Sequence, residues 1–217
     1  MRLLYINPNA SEAMTRSIER IARQACPEAQ ISAVTNVDGP PSIEGPEDGA
    51  AAIPGLLAQV RQAQADAVIV ACFDDTGLSE ARAVASCPVL GIGQASYVMA
   101  QLLGRRFSVV TSVAAAVPVI KSNIGAGGYG QACASVRASG LPVLTIEEGS
   151  EDTRQCLADQ IRLARDQDRA DAVILGCAGM AAMALDLSSR TGVLLIDGVS
   201  ASAHLAQAVV RQSDARQ

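Results

Sequence analysis

Two of the six cysteines close nearly identical octapeptides: Ala65-Asp66-Ala67-Val68-Ile69-Val70-Ala71-Cys72 is matched, 105 residues later, by Ala170-Asp171-Ala172-Val173-Ile174-Leu175-Gly176-Cys177. Each copy is an apolar strand-like run that ends on a thiol, and a duplication makes Cys72 and Cys177 pseudo-symmetry mates. In open parallel sheets ligands bind beyond the carboxyl ends of the strands, so two such halves facing each other bring the sulfurs to one cleft from opposite sides. That geometry suits inversion of a carbon acid. One thiolate takes the proton from one face, the other thiol delivers a proton to the opposite face, and the roles reverse for the other enantiomer. Only the thiolate is basic, and a helix N-terminus lowers a thiol's pKa. Phe73-Asp74-Asp75 and Ala178-Gly179-Met180 read as helix starts, whose exposed N–H groups are expected to hold the enolate oxygen that develops as the proton leaves. Cys26, Cys87, Cys133 and Cys156 lie outside this pattern and read as small buried hydrophobes.

Further matches fix the repeat. Val89-Leu90-Gly91-Ile92-Gly93 falls on Leu194-Leu195-Ile196-Asp197-Gly198 at the same offset, and Arg2 to Asn7 falls on Arg106 to Thr111 at an offset of 104. Strands are expected near 2–7, 30–34, 67–71 and 88–91, with helices over 11–25 (opened by Ser11), 47–64, 76–85 and 94–103. The second half repeats this with strands near 107–111, 132–136, 172–176 and 193–197, and its clearest helices span 151–168 and 198–211. Alternating strands and helices imply an α/β fold. It consists of two pseudo-symmetric Rossmann-like half-domains, residues 1–104 and 105–217, each a four-stranded parallel sheet flanked by helices, with the active site between them. The C-terminal helix is free to pack on the other half. The Gly-Pro-rich segment Asn36 to Asp48 reads as an ordered loop or lid.

Composition narrows the function. The formal charge is −5, with acidic and basic residues interspersed and no cationic stripe for phosphates, which argues against a nucleic-acid partner. The apolar run after Arg2 is too short for a secretory signal, so the protein is expected in the cytoplasm with free thiols. The uncharged stretch Ala83 to Gly104 is interrupted by Pro88, Gly91, Gly93, Gln94 and Gln101 and reads as a buried strand and helix, not as a membrane span. His204 is the single histidine and no CxxC occurs, so neither a zinc site nor a hydrolase triad is expected. The glycine-rich stretches at 91–96 and 125–130 lack a dinucleotide fingerprint and read as turns. Asp75 is expected to cap the helix that comes after it, and Asp74 to accept a ligand N–H. Asn7 and Thr111 stand at corresponding strand ends, where a short polar side chain bonds its own loop or a ligand. A thiol redox sensor and a non-catalytic small-molecule binding domain remain open as other classes.

The chain also resembles a known family over essentially its whole length. The motifs are Ile6-Asn7-Pro8-Asn9, Pro41-Ser42-Ile43-Glu44-Gly45, Ala71-Cys72-Phe73-Asp74-Asp75-Thr76-Gly77-Leu78 and Gly176-Cys177-Ala178-Gly179-Met180. They are similar to those of the Asp/Glu/hydantoin racemase superfamily, in its hydantoin and allantoin racemase branch. Amino-acid racemases of the superfamily tend to carry Cys-Asn-Thr and Cys-Thr-Glu at the two sites. Phe73 and Ala178 stand here instead, which favours a flat neutral ring over aspartate or glutamate. Arylmalonate decarboxylases generally keep one of the two cysteines, so the pair argues for racemisation. The resemblance implies two-base catalysis by Cys72 and Cys177 at C5 of a 5-substituted hydantoin, allantoin first, with no cofactor and no metal, in a homo-oligomer. The pocket residues expected beside them are Asn7, Pro40, Ile43, Phe73, Asp74, Thr111, Ala178 and Gly179.

Overall fold

The computed structural model describes residues 1–214. Strands β1 (Arg2–Asn7), β2 (Gln30–Thr35), β3 (Ala67–Val70) and β4 (Val89–Gly91) form one sheet in the order β2-β1-β3-β4. Strands β5 (Phe107–Thr111), β6 (Cys133–Ala138), β7 (Ala172–Gly176) and β8 (Leu194–Asp197) form a second in the order β6-β5-β7-β8. All pairings are parallel, and the two orders are the same, as duplication requires. Strands β3 and β7 are buried at every residue, which is why each reads as an unbroken apolar run with no alternation. Register sets the site: Ile6 pairs with Val70 and Thr111 with Gly176, so the central strands of each sheet end level and release both cysteines at the same edge.

Helices cover the sheets. Helix α1 (Glu12–Ala25) is capped by Ser11, whose hydroxyl accepts from the Met14 N–H, and it buries the stripe Met14, Ile18, Ile21 and Ala22. Then come α2 (Pro46–Gln62), α3 (Leu78–Val84), α4 (Ile92–Leu102), α5 (Val117–Ala126), α6 (Val143–Glu148), α7 (Glu151–Asp166), α8 (Ala184–Thr191) and α9 (Gly198–Asp214). None of the helices among the described residues is long and apolar enough to cross a membrane.

The last helix of each half crosses to the other half. Ala95, Tyr97 and Ala100 of α4 pack with Phe107, Val109 and Ile174 of the second sheet. Helix α9 returns over the first: Val199, Ala203, Ala206 and Val210 share a core with Leu3, Tyr5 and Ile69, and Tyr5 Oη donates to Val199 O at 3.2 Å and bonds Ser202 Oγ at 3.0 Å. Two local expectations are corrected. Helix α3 starts at Leu78, not at residue 76, because Asp75 (φ 51°) and Gly77 (φ 66°) are left-handed and cannot belong to a helix. After Cys177 the chain makes a 3-10 turn (Ala178–Met183) before α8.

Candidate active site

Cys72 lies two residues beyond β3 and Cys177 one beyond β7, and both line a cleft between the halves. The first half adds Asn9, Met14, Ile43, Phe73 and Asp74 to its wall, and the second adds Thr111, Ser112, Ala116, Val143 and Ala178. The free space within the cleft is about 30 Å³, room for a water or two and not for a ring. Segment 36–45 borders it. Ile43 is buried in its wall, Pro40 O accepts from Ala10 N at 2.9 Å, and Glu44 Oε1 accepts from Val143 N at 2.7 Å across the halves.

Of the side chains expected from sequence, Ile43, Phe73, Asp74, Thr111 and Ala178 line this cleft with the two cysteines; Asn7, Pro40 and Gly179 do not. The Asn7 amide is turned into its own loop, donating to Asn9 Oδ1 at 2.8 Å and to Ser11 O and Thr15 Oγ1 at 3.0 Å. Pro40 ties the lid down through its carbonyl. Gly179 stands behind Cys177 against Ile146 and Glu147 of α6. Sequence reasoning missed Asn9 as a cleft residue, although Asn9 belongs to the motif Ile6-Asn7-Pro8-Asn9. It also missed Met14, Ser112, Ala116 and Val143, most of which come from helices and turns whose approach no strand repeat announces. His204 is exposed on α9. Among the described residues no group of His, Cys, Asp and Glu gathers as a metal site.

The electrostatics differ from the helix-start expectation. Burial pushes the Cys72 thiol well above its usual range and the Asp74 carboxylate adds to this, while the Thr76 hydroxyl, donating at 3.5 Å, and the Asp74 N–H oppose it. Burial likewise pushes Cys177 up to about 12 against the N–H groups of Gly179 and Met180, with Asp74 and Glu147 adding to the rise. The cause is burial: desolvation of a thiolate outweighs a few N–H donors. Some N–H groups of the two turns are spent locally. Asp75 N donates to Cys72 O and Met180 N to Cys177 O, each at 3.0 Å, which leaves the N–H groups of Phe73 and Ala178, one after each cysteine, without a partner among the described residues.

Asp74 is pushed up to about 6 by burial, and its carbonyl accepts from Asn123 Nδ2 of α5 at 2.8 Å. Asp75 does cap a helix, but the next one: its carboxylate accepts from Gly93 N at 3.0 Å and Gln94 N at 2.7 Å at the start of α4. Burial raises it to about 7 against those two bonds and Arg82. This explains glycines that read only as turns. A Cβ on Gly91 would lie 2.0 Å from Asp75 Oδ1, and one on Gly93 would lie 2.2 Å from Phe73 O.

Duplicated parallel lobes with a thiol beyond a central strand of each define a two-lobed α/β protein with a candidate cleft between the lobes. The chain matches the family described as Asp/Glu/Hydantoin racemase over residues 3–206, and it belongs to that family. It is 41% identical to the hydantoin racemase of Rhizobium meliloti, over 97% of this chain and 89% of the relative. The structure of allantoin racemase from Klebsiella pneumoniae superposes with a TM-score of 0.93 at 37% identity, covering 98% of this chain and 89% of that one. Allantoin racemase from Pseudomonas fluorescens gives 0.94 at 34% identity, covering 98% and 92%. The chain is thus a racemase, an isomerase of the hydantoin and allantoin branch.

Proposed function

We propose that this racemase inverts C5 of a 5-substituted hydantoin, allantoin foremost, by exchanging a proton between that carbon and the thiols of Cys72 and Cys177. The observation that carries the reading is the meeting of two thiols, Cys177 buried and Cys72 partly buried, from matching strand ends of a duplicated fold, in one narrow cleft. One cysteine enters as thiolate and takes the C5 proton; the C–H electron pair moves into the ring, and the adjacent carbonyl becomes an enolate oxygen. The unpartnered N–H groups of Phe73 and Ala178 are placed to receive that charge, and one such donor contributes about 2.7 to 4 kcal/mol. The other thiol then protonates C5 from the opposite face, so turnover leaves thiol and thiolate exchanged. Asp74, ionised above about pH 6, accepts a ring N–H. Met14, Ile43, Phe73, Ala116 and Val143 keep the cleft apolar and dry. No cofactor takes part in this proton exchange. The same reading puts the protein in the cytoplasm as a homo-oligomer.

The test follows optical rotation of enantiopure allantoin and of a 5-alkyl hydantoin with the native protein, Cys72→Ser and Cys177→Ser. Rotation is expected to decay with the native protein and to hold with either variant; in D2O the newly formed enantiomer carries deuterium at C5 before the starting one does. Steady rotation with every substrate overturns the reading.

A further inference from the structure

Asn9 stands two residues past β1, is 5% exposed, and lines the cleft. Its carboxamide is held one way round by two donors that share its oxygen: Asn7 Nδ2 at 2.8 Å and the Ser11 N–H at 2.9 Å both reach Oδ1. The opposite rotamer would set an NH2 group against both of them, so hydrogen bonding decides the orientation. Asn7 is itself oriented, since its Nδ2 also donates to Ser11 O and Thr15 Oγ1 and its Oδ1 accepts from Asn9 N at 3.3 Å. The Asn9 Nδ2 is left with the Met14 thioether at 3.4 Å, a weak acceptor for a group with two protons to give. Met14 lines the same cleft and is flexible enough to give way.

We propose that Asn9 is a substrate-binding residue whose Nδ2 donates to a carbonyl oxygen of the ring, an inference that rests on the racemase reading above. Among the described residues that line the cleft, Asn9 brings the single side-chain N–H donor, and Thr111 Oγ1 is already committed to Gly176 O at 2.9 Å. No Lys, Arg or His lines it. A free carboxylate therefore finds no counter-charge there, whereas a cyclic ureide finds an acceptor for its N–H in Asp74 and a donor for its C=O in Asn9. The second asparagine of Ile6-Asn7-Pro8-Asn9 faces the ligand; the first holds it in place.

Asn9→Asp separates this role from a structural one. An aspartate keeps an oxygen for Asn7 and Ser11 and puts an acceptor where the donor was. Racemisation kcat/KM is expected to fall about 100-fold or more, the inhibition constant of unsubstituted hydantoin, achiral at C5, to rise in parallel, and the thermal midpoint to stay near that of the native protein. Asn9→Ala, which removes the donor without adding charge, reads the same loss should the aspartate variant fail to fold. A folded variant within threefold of native kcat/KM overturns the inference and leaves the racemase reading standing. A native protein that racemises nothing overturns both.

Discussion

At the residue scale the two thiols are related by duplication but not equivalent. The Thr76 hydroxyl donates to the Cys72 sulfur, whereas the 3-10 turn after Cys177 offers it nearby N–H groups and no side-chain donor. Both are held above the ordinary thiol range by burial, so the thiolate is a minor form at neutral pH. Its share rises about tenfold per pH unit below the thiol pKa. Asp74, pushed up to about 6, becomes an ionised acceptor for substrate only above that pH, while its charge helps to hold the thiols up. Racemisation kcat/KM is therefore expected to climb from pH 6 to pH 9 without levelling. Initial rates of rotation across that range test it: a plateau from about pH 7 would show thiols lowered as a helix N-terminus lowers them.

At the scale of elements, the turn that carries Cys72 is clamped to the start of α4. Asp75 reaches over it in a left-handed conformation to cap α4, and Gly91 and Gly93 leave the room this needs. Gly93→Ala puts a methyl 2.2 Å from Phe73 O, which is backbone and cannot swing aside. The variant is expected to lose about 1 to 3 kcal/mol in urea unfolding and most of its racemisation, because the strain falls on the residue next to Cys72. Gly125 on α5 has nothing within 4 Å of an added Cβ and supplies the control. There alanine is expected to leave activity intact and to stabilise by up to about 0.5 to 1 kcal/mol.

At the scale of the whole molecule, the exchange of α4 and α9 makes the halves interdependent. The core under the first sheet includes α9, and that under the second includes α4, so neither sheet keeps its cover alone. Unfolding is expected as one cooperative transition despite the duplication, with far-UV circular dichroism and tyrosine fluorescence coinciding. Tyr5→Phe tests the coupling. It deletes the bonds from Oη to Val199 O and Ser202 Oγ beneath α9, and a single transition shifted by about 1 to 2 kcal/mol is the expected outcome. Two separated transitions would mean that the lobes fold independently.

The sequence by itself determined the duplication, the parallel α/β lobes, the family resemblance and the candidate pair Cys72 and Cys177, because a fully buried strand must be an unbroken apolar run and a repeat preserves the thiol at its end. It also marked a loop over 36–48, of which 46–48 instead open α2, and Asp75 as a cap, though of the wrong helix. Only the tertiary structure decided which asparagine of Ile6-Asn7-Pro8-Asn9 faces the cleft, which helix Asp75 caps, and that the thiol pKa values rise. Each depends on how far other parts of the chain approach: the donors around Asn9 Oδ1, the glycines flanking the start of α4 beneath Asp75, and the packing that buries the thiols. Spacing along a chain records local geometry; desolvation and the choice of hydrogen-bond partner are set by neighbours distant in sequence.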